Sequence, residues 1–229
     1  MALAQNNAGF AVSHDPADHG AGGNGVAEAA SWVELLANGL TFDLVGLAPG
    51  RPADRPPSGP AFGLPDGFEA ESLEAITLQP GPHLVAGGAM LPVVRSLAWL
   101  SALLTDLPGV RAVGWHPAPC WSAPSHFRDS VLRWIEGGVF PGLGLAALAP
   151  MPDGGMQSQG LALFTGQEMR LEPELVADRA AGAKIGLRLM HWMVENGRVD
   201  DIEVISCPDG QPLRLEPSAN GRIVRVWRG

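Results

Sequence analysis

Three side chains with reactive heteroatoms fall in one short passage, Trp115-His116-Pro117-Ala118-Pro119-Cys120-Trp121 followed by His126. Two kinds of chemistry could use them. Cys120 could act as a nucleophile with His116 or His126 as its base, because a thiolate gains from the dipole of a helix that starts just after it. Alternatively, His116, Cys120 and His126 could ligate zinc. The third reading is packing: Trp115 and Trp121 imply apolar surroundings, and an isolated buried cysteine behaves as a small hydrophobe. No Cys-x-x-Cys or His-x-x-x-His spacing supports a metal, so packing outweighs the two chemical readings, and neither a metal nor a cofactor is expected.

Other candidates stand alone. Glu168 follows Phe164-Thr165-Gly166-Gln167 at the end of an expected strand, where an isolated carboxylate could work as an acid or base. Glu172, Glu174 and Asp178 gather at an expected helix start, where the dipole favours acids. His191 sits between Met190 and Trp192 as a core or boundary residue, and His14 and His19 lie in a glycine-rich N-terminal stretch as solvated residues. Indoles can anchor interfaces, which singles out Trp115, Trp121 and Trp227 as a ligand or partner surface. The chain has no phosphate-binding Gly-x-x-x-x-Gly-Lys-Ser/Thr loop, no Gly-x-Gly-x-x-Gly, no Gly-x-Ser-x-Gly and no His-Glu-x-x-His.

The elements that would position these residues follow from periodicity. Residues 1–28 offer only Leu3, Phe10, Val12 and Val26 as large apolar groups, too few to offset ordering at roughly 1–2 kcal/mol per residue, so they form a mobile arm or one that orders against something else. A short helix is expected over 29–38, closed by Asn38-Gly39, then strands at 40–47 and 75–78 around a proline-rich loop at 49–67. Val93, Leu97, Leu100 and Leu104 mark a nearly engulfed helix over 91–107. A strand at 110–115 leads to a second helix capped by Ser122 or Ser125, with Phe127, Val131, Trp134 and Ile135 on one face. Strands at 142–149 and 157–164 flank the turn Pro150-Met151-Pro152-Asp153-Gly154-Gly155. A third helix spans 173–195, where Gly182 and Gly186 mark close packing, and a strand at 202–205 and a hairpin around Ser218-Ala219-Asn220-Gly221 complete the chain. The order predicts an α+β fold: a mixed, mostly antiparallel sheet, three main helices and ferredoxin-like βαβ elements near 75–116, all in one domain over 29–229.

Composition narrows the function classes. Of 229 residues, 46% are hydrophobic and 17% charged, with a net charge of −9. Lys184 is the only lysine, the first fifty residues hold no Lys or Arg, and Arg222, Arg225 and Arg228 cannot share one strand face. Nucleic acid is therefore not an expected partner. Pro92 and Arg95 interrupt the most apolar stretch, 84–104, which argues against a membrane span. Two cysteines and no basic-then-apolar leader predict a cytoplasmic protein with reduced thiols.

The run Gly160-Leu161-Ala162-Leu163-Phe164-Thr165-Gly166-Gln167-Glu168-Met169-Arg170-Leu171 resembles the "Gly-apolar … Gly-x-x-Glu-apolar-x-apolar" segment of the bacterial family of unknown function numbered 4261. Trp115 followed by Ser122-Ala123-Pro124-Ser125-His126-Phe127 is similar to that family's strand-to-helix passage. The long helix followed by Asp209-Gly210 and a last hairpin resembles its C-terminal end. The resemblance covers about residues 75–227 and lends no activity; it implies interest in Glu168 and the passage from Trp115 to Phe127. The expected function is a non-catalytic binding or interaction module of a soluble bacterial protein, pairing with itself as a homodimer or with another protein. The alternative is a small cysteine-dependent hydrolase or transferase using Cys120 with His116 or His126.

Overall fold

The computed structural model describes residues 9–15, 32–48, 51–55, 57, 59–207 and 210–229, and its first hairpin turns on Asn38 and Gly39. Both take positive φ, 53° and 76°, the conformation of a two-residue turn whose twist matches its flanking strands. The turn joins β2 (Trp32–Ala37) to β3 (Leu40–Val45), with Ala37 opposite Leu40. The helix expected over 29–38 is thereby corrected: 32–37 is a strand, and 29–31 lie outside the described residues. The reason is the period. Val33, Leu35 and Ala37 are buried while Glu34 and Leu36 alternate with them, and Asn-Gly, which can stop a helix, is also the strongest short hairpin signal.

Flanking these strands are β1 (Phe10–His14), paired with β2, and β5 (Thr77–Pro80), paired with β3. The result is a four-stranded antiparallel sheet in the order β1-β2-β3-β5. Phe10–His14 belongs to the stretch expected to be a mobile arm or one that orders against something else; its pairing with β2 corrects the mobile reading for these residues and agrees with the other, and 1–8 and 16–28 lie outside the described residues.

Helix α1 (Leu91–Leu104) is apolar on two faces because it serves two cores. Val93, Leu100 and Leu104 join Val33, Leu35, Phe42 and Leu44 beneath the four-stranded sheet, while Leu97 packs against both clusters. Val94, Ala98 and Ala102 enter the second core with Phe127, Val131 and Trp134 of α2 (Pro124–Ile135). Arg95 fits this apolar setting by stacking 4.6 Å over the Trp134 ring and donating from Nη2 to Ile135 O at 3.2 Å, at the carbonyl-rich end of α2.

The second core lies under a six-stranded sheet built from β8 (Ala147–Pro150), β9 (Met156–Gln159), β10 (Glu168–Leu171), β11 (Glu203–Ser206), β12 (Pro212–Pro217) and β13 (Ile223–Arg228). Its order is β11-β12-β13-β10-β9-β8, antiparallel except where β10 meets β13. The helical turn α3 (Ala162–Thr165) and the long helix α4 (Arg179–Asn196) precede and follow β10. A small sheet in the order β4-β7-β6 combines Ala61–Phe62, Cys120–Ser122 and Val113–Trp115.

The fold is α+β, with mostly antiparallel sheets and α1, α2 and α4 as its three long helices. The ferredoxin-like βαβ unit is corrected: β5 and β6 flank α1 in sequence but lie in different sheets. The strands expected at 142–149 and 157–164 shorten to β8 and β9. The helix expected from 173 begins at Arg179, after a 3₁₀ turn at Pro173–Leu175. Gly186 has the packing role expected of it, since a Cβ there would stand 2.7 Å from Leu148 Cδ1. Among the described residues, no helix is long and apolar enough to cross a membrane.

Candidate functional site

The Trp115-to-His126 passage folds inward at its aromatic and sulfur side chains and outward at its imidazoles. β6 and β7 pair so that Trp115 faces Cys120 and Gly114 faces Trp121. Trp115 (5% exposed), Cys120 (2%) and Trp121 (8%) are core residues, which corrects the assignment of Trp115 and Trp121 to a ligand or partner surface. Trp115 packs on Phe127, and Trp121 Nε1 donates to Pro57 O at 3.3 Å. The turn between the two strands is held against the corner after β9: Gly160 has φ 85°, and a Cβ there would stand 2.7 Å from Ala118 Cβ.

Cys120 lies in a strand, ahead of the helix. Its Sγ donates to Gly144 O at 3.3 Å, and burial pushes its thiol up to about 11, against a smaller opposite pull from the Gly144 backbone. His116 and His126 are exposed, and among the described residues no hydrogen bond links either of them to Cys120. A protonated, enclosed thiol without a base runs against the nucleophile reading. Nor does any group of three His, Cys, Asp or Glu side chains among the described residues have the arrangement to hold a metal ion. The expected cap on α2 is corrected as well. Ala123 is the N-cap residue with no side-chain bond, Pro124 follows it, and Ser122 points into the core.

Glu168 is taken up by its own corner. Its Oε2 accepts from Ser158 Oγ at 2.5 Å, and its Oε1 accepts from the backbone N–H of Gly160 (2.9 Å) and Ala162 (3.2 Å). A carboxylate spending its acceptors in this way organises the β9–α3–β10 turn. Nearby, the fully buried Gln167 donates to Val199 O (2.9 Å) and Gly221 O (3.1 Å) and accepts from Val199 N (2.8 Å). Of the acids expected at a helix start, only Asp178 caps one, accepting from Ala180 and Ala181 N–H. Glu172 is buried instead beside Arg225, whose Nε donates to it at 2.7 Å, and Glu174 accepts from the Arg228 N–H. Trp227 is half-buried on the outer face of the sheet, with the Arg225 guanidinium 4.4 Å over its ring. His191 is a boundary residue whose Nδ1 accepts from Phe140 N at 3.3 Å. His14 stacks against Trp32 at 4.7 Å, while His19 and Asp209 lie outside the described residues.

Two further features carry no motif. The first is β11, an edge strand of the six-stranded sheet. Cys207 N donates to Gln211 O at 2.9 Å, so by the β11–β12 register residues 203, 205 and 207 bond inward, while 204 and 206 turn their N–H and C=O groups to the open edge. Ile202 and Val204 are 55% and 66% exposed on the solvent face beside it. The second feature is the face of the four-stranded sheet that points away from α1. There, register sets His14 opposite Glu34, Glu34 opposite Asp43, and Asp43 opposite Gln79. Asp43 is 9% exposed, and its Oδ1 has no hydrogen-bond partner among the described residues. Burial, then the facing Glu34 carboxylate, raise its carboxyl above the usual range, and His83 pulls the other way. An open hollow lined by residues 52–55 and 73–75 contains none of the side chains singled out from the sequence. Compared with known proteins, the chain matches no family model, no curated protein and no solved structure.

Proposed function

We propose that this chain is an interaction module that pairs with a second copy of itself along β11. The observation that carries this reading is the β11 edge, unpaired among the described residues, with Ile202 and Val204 exposed beside it. Edge strands offer a ready row of donors and acceptors, and proteins that avoid pairing guard them with Lys, Pro or bulges. β11 reads Glu-Val-Ile-Ser: it has no Lys, Pro or bulge, and its guards are its short length and the Glu203 charge. An antiparallel pairing centred on Val204 sets each Val204 against its own copy and joins two six-stranded sheets into one. A four-residue edge buries far less than the roughly 1,200–2,000 Å² of a stable complex, so the dimer is weak and concentration-dependent.

Light scattering on the full chain across a wide concentration range tests this. The expected result is a mass rising toward two chains, shifted to about tenfold higher concentration by Val204→Lys, which opposes two like charges. Ser206→Pro removes an outward N–H without cost to the β11–β12 ladder and gives the same shift. A mass of one chain throughout overturns the proposal. A Cys120 that reacts with a thiol probe faster than a free thiol at neutral pH would move the assignment to cysteine chemistry. The resemblance to the family numbered 4261 is part of the same proposal; it rests on Gly160–Leu171 and on Trp115 with Ser122–Phe127, and it lends no activity.

A further inference from the structure

The outer face of the four-stranded sheet holds an acceptor that no donor among the described residues satisfies. Asp43 Oδ1 is buried and unpartnered, and a buried polar atom left without a bond costs roughly 1–3 kcal/mol. Gln79, opposite Asp43 on β5, is exposed, and His14, opposite Glu34 on β1, stacks on Trp32. Glu34, opposite it on β2, is a second carboxylate, whose Oε1 accepts from Ser13 Oγ at 2.6 Å. His83, in the 3₁₀ turn at Pro82–Gly87, is hydrogen-bonded through Nε2 to Thr41 Oγ1 at 2.5 Å. The first fifty residues contain no Lys or Arg. Arg55, farther along, donates to the loop carbonyls of Glu71 and Leu73.

A missing donor between two carboxylates calls for a donor that also carries positive charge. The net charge of −9 favours the approach of a cation. Metal ions fit less well, since among the described residues no three His, Cys, Asp or Glu side chains can surround one. We propose that this face binds an ammonium or guanidinium group, which donates to Asp43 Oδ1 between the Asp43 and Glu34 carboxylates.

Isothermal titration calorimetry of the full chain at neutral pH tests the site with two probes. Agmatine stands for a free small amine, and a blocked Gly-Arg-Gly peptide stands for an arginine side chain on a protein partner. Saturable binding of agmatine alone assigns the site to small amines, and binding of both extends it to a partner's side chain. Asp43→Asn is expected to weaken binding by about tenfold or more, and Glu34→Gln by a smaller factor. The absence of saturable heat with both probes at millimolar concentration, or an unchanged affinity in Asp43→Asn, overturns the proposal.

Discussion

The buried acceptors of Gln167, Glu168 and Glu172, in and beside β10, are answered; one of Asp43, in β3, is not. Gln167 has three backbone partners, Glu168 holds two N–H groups and a hydroxyl, and Glu172 is paired with Arg225. Asp43 sits at a comparable depth in the other sheet, yet its Oδ1 has no donor. The same residue chemistry thus plays two parts. Where acceptors and donors cancel locally, the group ties strands and loops together. Where they do not, the fold carries a standing cost, and such sites are where ligands are sought.

Removing a satisfied group should hurt and removing the unsatisfied one should not. The largest effect is expected for Gln167→Leu, which strands the N–H and C=O of buried Val199 and takes one of two donors from the Gly221 C=O, which keeps Arg198 Nη2 at 2.8 Å; a loss of about 3 kcal/mol in urea unfolding is expected. Arg225→Met leaves Glu172 buried with only Arg170 at 3.4 Å. Because Arg225 is 43% exposed and its pairing is partly screened, the expected loss is smaller, about 1–2 kcal/mol. The smallest effect, and of opposite tendency, belongs to Asp43→Asn. The fold raises the Asp43 carboxyl, so the native state holds that proton more tightly than the unfolded chain does. Stability is then lost as pH climbs through the native value. Asp43→Asn escapes that loss: unfolding at neutral pH should show it no less stable than the parent, with the difference closing on acidification. A clear destabilisation at neutral pH would erase the contrast between the two sheets.

Much of the fold was legible because local spacing suffices for it. Val93, Leu97, Leu100 and Leu104 defined α1 and the face it turns to the first sheet, and Ser218–Gly221 marked the last hairpin. Asn38-Gly39 was legible too, but two structures share that signal, and the alternation of Val33, Leu35 and Ala37 should have decided between them. The site features were not legible in the same way. His14, Glu34 and Asp43 come together only through the registers of three strands, and nothing near Gln167 in sequence announces that Val199 and Gly221 will surround it. The cysteine passage misled for a related reason. Spacing placed Cys120 near a helix start, but the direction of its side chain followed from the β6–β7 pairing, which turns it to Gly144.

Helix α1 has a consequence for how the molecule comes apart. Stripping away the four-stranded sheet would bare Val93, Leu100 and Leu104, and stripping away the other core would bare Val94, Ala98 and Ala102. Neither half can therefore melt alone without leaving a greasy flank of the shared helix in water, a cost that couples the two halves across α1, the party wall between them.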